Sequence, residues 1–381
     1  MASIQKRPNG KWRARHREDG GRGREHSKHF DKKSDAQRWL DEVTASVVTG
    51  QYVGPKAGLI TFKDYAENWR QSQPHRATTK ERTESQLRNQ AYPAFGNKAL
   101  RDVMPSDIQS WVSRLGTPDP KSKRKNGGAL APTTIGVVHG VVHGVFGSAV
   151  RDRRIVANPC TGTRLPKADL KQVVPFTIEQ VEALTKAMPP QYRAMLTLVA
   201  GTGLRQGEAF AVTLDRVDFL RRQLRVDRQI QTLAGGEPHF CPPKTAASVR
   251  TIPLAQVVID ALAAHIAKYP PTANGLLFTD AMGEPLRRAQ FGHAVWRPTV
   301  AAAGMPKGTK FHELRHFLAS LLIRHGESVK TVQARMGHAN AAETLDTYSH
   351  LWPDSDDQTR IAVDAVLGKL SETSGGEVMK A

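Results

Sequence analysis

Five short motifs between Thr202 and His350 hold the side chains most able to do chemistry. In Thr202-Gly203-Leu204-Arg205-Gln206-Gly207-Glu208, two glycines bracket an arginine where a loop opens a helix. Such a site can offer a guanidinium to an anion beside helix N–H groups, or it is an ordinary turn with a surface arginine. In Pro242-Pro243-Lys244-Thr245, a lysine in a loop between strands can reach a phosphate or donate a proton, although most loop lysines are merely solvated. His312-Glu313-Leu314-Arg315-His316 leads into a helix, where His312 and Arg315 share a face. Leu314, Phe317, Leu318, Leu321 and Leu322 turn to the core, so His312 and Arg315 are expected on the opposite side. Read literally, this motif also matches the HExxH zinc pattern. Nothing nearby is a clear third ligand, and so basic a composition does not suit a peptidase. The last two motifs are Met336-Gly337-His338-Ala339 and Thr344-Leu345-Asp346-Thr347-Tyr348-Ser349-His350. A lone tyrosine on an Ala/Leu-rich helix is ordinarily packed rather than reactive.

Taken together, in order and spacing, these residues resemble the tyrosine recombinase, or phage integrase, family. That family uses Arg, Lys, His-x-x-Arg, His or Trp, and Tyr; the matching positions are Arg205, Lys244, His312, Arg315, His338 and Tyr348. The flanks match too, with TGLR-x-GE, K-T followed by IPL, HxLRH, and GH before a helix bearing the tyrosine. The resemblance is close over residues 174–352 and looser over 60–160, where the family carries a helical core-binding domain. Gln206 and Met336 stand where other residues are common, but neither carries chemistry. The interval from Arg205 to Lys244 is longer than in many relatives, which an extended hairpin loop around AGGEPHFCPP accounts for. Of the six tyrosines, only Tyr348 lies downstream of the His312 motif.

The resemblance implies DNA strand cleavage in which Tyr348 attacks phosphorus and forms a 3′-phosphotyrosine. Neutralising charge on the non-bridging oxygens is then the main task. Arg205 and Arg315 suit it, because a guanidinium forms a bidentate fork that lysine cannot imitate, and His338 adds a hydrogen bond. The phenol, with an ordinary pKa near 10, needs help losing its proton, and His312 is the candidate to accept or orient it. Lys244 is the candidate acid for the leaving 5′-oxygen. The covalent ester keeps bond energy for religation, so no ATP is implied. The arginines do what a metal does elsewhere, so no metal or other cofactor is implied.

These residues must be positioned by a multidomain, mainly α chain. Residues 1–55 read as a small β-sheet packed on one helix, resembling the arm-type DNA-binding module of many integrases. Asn9-Gly10 marks a hairpin and Asp19-Gly20-Gly21 a second turn. Ser34 with Gln37 forms a capping box for a helix whose stripe is Ala36, Trp39, Leu40, Val43 and Val47. Its candidate DNA contacts are Lys11, Arg13, Arg15 and Arg17. Residues 60–160 read as an all-helical core-binding domain with caps at Thr61 and Ser106. Within it, Lys123, Arg124 and Lys125 lie in a basic loop. Val137, Val138, Val141, Val142, Val145, Phe146, Ala149 and Val150 form a buried helix face, and His139 and His143 read as its polar side. Residues 173–370 read as a mixed α+β catalytic domain that starts with a Thr177/Gln180 cap, and residues 371–381 as a disordered tail.

The formal net charge is +19, which favours a polyanionic partner, double-stranded DNA above all. Cys160 and Cys241 lie far apart and form no metal or disulfide motif, which fits a reducing cytoplasm. The basic start lacks the apolar segment of a secretory signal, and no apolar run approaches the roughly 20 residues that span a bilayer. By resemblance the assembly is a homotetramer on two attachment sites, with a DNA-bending host factor and an excisionase as further partners. The arm-like start favours a phage or mobile-element integrase. A chromosome-dimer resolvase, a type IB topoisomerase and a catalytically inactive DNA-binding relative remain as alternatives.

Overall fold

The computed structural model describes residues 3–17, 25–49, 52–121, 125–168, 172–352, 360, 361, 363–365 and 367. The Asp19-Gly20-Gly21 turn, Lys123, Arg124 and the 371–381 tail lie outside the described residues. The chain divides into two compact units, Met1–Leu170 and Lys171–Ala381.

The first unit opens with β1 (Ser3–Lys6), β2 (Trp12–Arg17) and β3 (Glu25–Phe30), an antiparallel sheet in that order. Gly10, at φ +80°, takes the left-handed turn between β1 and β2 that its Asn-Gly dipeptide favours. Alternation along β2 sends Ala14 and His16 onto α1 (Lys33–Val48), where His16 meets the Trp39 ring at 5.4 Å. Arg13, Arg15 and Arg17 alternate with them, and all three face the Glu25 carboxylate, at 3.5, 3.9 and 3.7 Å. Lys11 pairs instead with Asp31 at 3.4 Å. Within α1, Ala36 and Leu40 are buried as expected. The expected Ser34 cap is not formed: the helix begins at Lys33 without a side-chain cap, and Gln37 bonds Asp41 instead.

Helices α2 (Phe62–Ser72), α3 (Ala77–Gln86), α4 (Tyr92–Phe95), α5 (Pro105–Gly116) and α6 (Pro132–Arg151) follow. A π turn over Leu87–Ala91 joins α3 to α4. Thr61 caps α2 by accepting from the Asp64 amide at 3.1 Å. At α5 the expected Ser106 cap is replaced by Asp107, whose carboxylate accepts from the Met104 amide at 3.0 Å. Phe62, Phe95, Trp111 and Phe146 interleave in the core, with Phe62 and Phe95 edge to face at 4.8 Å. Val142, Val145 and Phe146 of α6 are fully buried, each contributing roughly 1.5–3 kcal/mol. Contrary to the sequence expectation, α6 is long and apolar enough to cross a membrane by length and composition, since its glycines and two histidines do not offset its valines. The buried face just described accounts for that composition. Two further expectations on α6 fail: Val137 is exposed, and His139 is buried while His143 is exposed. Burial also lowers the His139 pKa. Lys125 falls in a short 3-10 segment, Lys125–Gly128.

The second unit starts with α7 (Ile178–Ala187), capped reciprocally by Thr177 and Gln180 as its sequence requires. The core helix α8 (Pro190–Thr202) is buried nearly all round, with Met195, Leu196 and Leu198 at 0 % exposure. Next come α9 (Gln206–Phe210), β4 (Val217–Asp218), β5 (Gln223–Val226), β6 (Gln229–Gln231), β7 (His239–Cys241) and β8 (Arg250–Pro253). Strands β4, β5 and β8 form one antiparallel sheet, and β6 and β7 the separate hairpin that lengthens the interval before Lys244. Helices α10 (Gln256–Lys268), α11 (Arg288–Phe291), α12 (Arg297–Ala302), α13 (Glu313–Arg324), α14 (Val329–Met336) and α15 (Ala341–Tyr348) complete the unit. Both α10 and α13 pack on α8. Most of the segment after α15 lies outside the described residues.

Candidate active site

The site begins where α8 ends. Gly203 adopts φ +65°, and a Cβ there would stand 2.8 Å from the Met336 side chain, so only glycine lets the chain reverse so close to α14. The reversal places Arg205 at the start of α9. Its backbone N–H donates to Glu208 Oε2 at 3.0 Å. Its Nη1 donates to Glu208 Oε1 at 3.1 Å and to Ser248 Oγ at 3.3 Å. Its Nη2 reaches the Gly337 carbonyl at 3.0 Å. Arg250, on β8, clasps the same carboxylate from the other side, at 3.0 Å to Oε2 and 3.3 Å to Oε1. Burial alone would raise the Glu208 pKa, but Arg250 and Arg205 outweigh it and hold the carboxyl below its ordinary range.

Arg315 corrects an expectation. It does not stand on an open face of α13 but is 2 % exposed. Its Nη1 donates to the Gly203 carbonyl at 2.6 Å and its Nη2 to the Met336 carbonyl at 2.5 Å. Helical periodicity puts arginine opposite the leucines, but the end of α8 and the end of α14 cover that side as well. Met336 and Gly337 are the last turn of α14, whose unpaired carbonyls form the negative end of the helix. Arg315 and Arg205 therefore meet on consecutive carbonyls. Burial, with Arg205 and Arg250 nearby, lowers the Arg315 pKa to about 9.

Gly337, left-handed at φ +62°, then turns the chain to His338. His338 is buried, and its Nδ1 shares a hydrogen bond with the Thr344 hydroxyl at 2.8 Å. Thr344 lies on α15, one turn before Tyr348, and Asn340 caps that helix through the Glu343 amide at 2.9 Å. The Tyr348 ring stacks near the His338 ring, with centroids 6.4 Å apart and planes at 15°. Tyr348 is 1 % exposed, and burial raises its pKa to about 12. Its Oη lies 2.7 Å from Nδ1 of His316.

That last contact corrects a second expectation. The phenol is held by His316 and not by His312, whose ring makes no hydrogen bond among the described residues. His312 precedes the first turn of α13, its ring perpendicular to that of His316 with centroids 5.0 Å apart. Burial lowers the pKa of His312, His316 and His338 to about 4 in each case, with Arg315 adding to the effect. At neutral pH all three rings are uncharged, and in the tautomer with its proton on Nε2 the His316 ring accepts from the phenol at Nδ1.

Lys244 is exposed in the loop after β7 and makes no hydrogen bond or ion pair among the described residues. It joins the site only through its neighbour, since the Thr245 hydroxyl bonds Ser248 Oγ at 2.9 Å and Ser248 accepts from Arg205. Thus Arg205, Arg315, His338 and Tyr348 are gathered into one region, His312 borders it through His316, and Lys244 stands on its rim. Sequence reasoning gave no role to Glu208, Arg250, Thr344 or His316, although Glu208, Thr344 and His316 lie within the motifs it singled out, and His316 carried the further signal of i,i+4 spacing from His312. Among the described residues no three His, Cys, Asp or Glu side chains cluster as a metal site would require.

Two guanidinium groups on the Glu208 carboxylate, with that of Arg315 close by, leave an excess of positive charge beside a phenol, an arrangement suited to a phosphodiester. The comparisons agree. The phage integrase family model matches residues 175–354, a phage integrase N-terminal domain model residues 2–49, and a phage integrase N-terminal SAM-like domain model residues 61–116. A protein designated a prophage phiRv2 integrase in Mycobacterium tuberculosis is 26% identical over 95% of this chain and 94% of its own. The integrase of Mycobacterium phage L5 is 24% identical over 91% of each. Among solved structures, the Tn1549 transposon integrase with circular intermediate DNA aligns with a TM-score of 0.68 and 24% identity over 81% of this chain and 99% of that one. A lambda integrase tetramer on a Holliday junction aligns at 0.58 and 17% identity, over 89% and 96%. The chain belongs to the phage integrase family, the tyrosine recombinases, which carry out site-specific recombination by cutting and rejoining DNA strands.

Proposed function

We propose that this chain integrates and excises a phage or other mobile element, and that Tyr348 is the nucleophile. The observation that carries this reading is the buried Tyr348 phenol, its ring 6.4 Å from that of His338, which directly follows the two carbonyls that receive Arg315 and Arg205. Tyr348 Oη attacks the scissile phosphorus, forms the 3′-phosphotyrosine and releases a 5′-hydroxyl, the chemistry of type IB topoisomerases. Arg205 and Arg315 carry the developing charge on the non-bridging oxygens, exchanging carbonyl contacts for phosphate contacts. His338, locked by Thr344, adds a hydrogen bond. Lys244, on its exposed loop, protonates the leaving oxygen, and its freedom from other bonds suits a group that must swing onto DNA.

Residues 1–55 bind arm sites through Arg13, Arg15 and Arg17, residues 60–160 the core site, and residues 173–370 perform catalysis. The working assembly is a homotetramer on two DNA sites, helped by a bending factor and an excisionase, in the cytoplasm on nucleoid DNA. The relatives seen as a tetramer and in DNA complexes support this reading. The test is a nicked duplex, selected from random-sequence DNA by binding to the full-length protein, incubated in EDTA. Wild type should yield an adduct that survives denaturation, and Tyr348→Phe none. No adduct on DNA that is demonstrably bound would leave a DNA-binding relative without catalysis.

A further inference from the structure

The mechanism above leaves one close contact of the nucleophile unused. His316 follows Arg315 directly on α13, and its Nδ1 lies 2.7 Å from Tyr348 Oη. The rings meet at 64° with centroids 5.6 Å apart, so the imidazole edge is aimed at the phenol oxygen. We propose that His316 is the positioning residue for the nucleophile, holding Tyr348 Oη beside Arg315 and receiving its proton as the bond to phosphorus forms. The inference rests on the reading of Tyr348 as the nucleophile.

The geometry separates His316 from its neighbour. His312 stands before the first helical turn and its ring makes no hydrogen bond among the described residues, whereas His316 lies one turn inside α13 and faces α15. The two helices therefore share the reactive oxygen. A phenol on an eight-residue helix ending at Tyr348 would otherwise rotate about its side-chain bonds. A hydrogen bond from a fixed partner on a second helix removes that freedom, which is how a near-attack geometry is secured.

Atoms balance as follows. The Oη–P bond forms and the P–O5′ bond breaks. The phenol proton passes along its hydrogen bond to Nδ1 of His316, and the 5′-oxygen takes a proton from Lys244. Religation reverses each transfer: the 5′-hydroxyl attacks phosphorus, and the departing phenolate recovers its proton from His316. In the free protein burial, and then repulsion from Arg315 and Lys310, disfavour a charged His316. A phosphodiester anion bound at Arg315 offsets that repulsion, so the imidazole becomes a better acceptor only when substrate is present.

The experiment uses the geometry of amides. The asparagine side chain places its amide near where Nδ1 stands, and that of glutamine near where Nε2 stands. Full-length His316→Asn, His316→Gln and His316→Phe would be compared with wild type on the selected nicked duplex, measuring adduct formation at saturating DNA together with DNA affinity. His316→Asn, whose amide can hold Oη but cannot take its proton, should fall about tenfold at neutral pH and recover as pH rises, which the other two variants should not. His316→Gln and His316→Phe should fall about 100-fold, the scale of a 1 Å misplacement, with unchanged DNA affinity. Equal rates in the Asn and Gln variants, whether both high or both low, would overturn the proposal. An adduct in Tyr348→Phe, or none in wild type, would instead defeat the reading of Tyr348 on which it rests.

Discussion

His338 and Thr344 share a hydrogen bond of 2.8 Å between Nδ1 and Oγ1, with both side chains buried. One end of this bond belongs to the turn that receives Arg205 and Arg315, the other to the helix that ends in Tyr348. It therefore ties the proposed phosphate-binding groups to the proposed nucleophile within one chain. Replacing Thr344 by Val keeps the shape and removes the partner. Leaving a buried ring nitrogen unpaired costs about 1–3 kcal/mol. We expect a lower Tm and about tenfold slower adduct formation at saturating DNA; an unchanged rate would show that His338 needs no such tether.

Glu208 is the common anchor of Arg205 and Arg250, with its side chain at 2 % exposure and that of Arg250 at 7 %. Glu208→Gln leaves buried guanidinium charge without a counterion, which costs about 3–5 kcal/mol. Adduct formation should fall more than about 100-fold because Arg205 loses the group that aims it. Thermal unfolding of the full chain measures the first effect and the nicked-duplex assay the second. A variant as stable as wild type would mean that the carboxylate is not charged in the folded protein.

How much of this was legible in the sequence depends on whether the signal was local. The Thr177–Gln180 cap, the Asn9-Gly10 turn and the hydrophobic stripe of α6 follow from neighbouring residues, and the structure has them. The caps at Ser34 and Ser106 failed because a nearby start site won: Lys33 begins α1, and Asp107 serves α5. Arg315 was expected on a polar face because periodicity sees one helix, whereas its burial is made by carbonyls 112 and 21 residues away in sequence. Arg250 and Thr344 looked like ordinary strand and helix residues, and only tertiary packing gives each its partner. His316 was visible as half of an HExxH pair, but its target, the phenol of Tyr348, lies 32 residues on.

Protonation should weaken the second unit from mildly acidic pH downward. His265, His312, His316 and His338 are all held below the ordinary 6.5 by burial, the last three at about 4. Between these values the unfolded chain binds more protons than the folded one. Stability is therefore complete above about pH 6.5 and is lost as pH falls toward 4. Glu208, whose pKa is lowered, adds its own loss only below about pH 4.5. Tm of the full chain should drop by several degrees between pH 7 and pH 5. A flat Tm over that window would contradict neutral, buried histidines.

In the N-terminal sheet, Glu25 pairs with Arg13, Arg15 and Arg17, the residues proposed to bind DNA, and on that proposal it competes with DNA for them. Exposed pairs of this kind are worth about 0.2–1 kcal/mol. Glu25→Gln should therefore tighten binding to random-sequence DNA about two- to fivefold at low salt and steepen the logarithmic salt dependence by up to about one. Fluorescence anisotropy at several salt concentrations measures both, and weaker binding by the variant would mean that Glu25 aligns the arginines for DNA instead of masking them.

The central claim, that Tyr348 forms the covalent bond, is tested most directly by identifying the residue that carries DNA. The adduct from the nicked duplex would be digested with nuclease and trypsin and the residual nucleotide located by tandem mass spectrometry. We expect a 3′-phosphonucleotide on Tyr348, in a peptide absent from the Tyr348→Phe digest. A nucleotide on any other residue, or attached through its 5′-phosphate, would contradict the account.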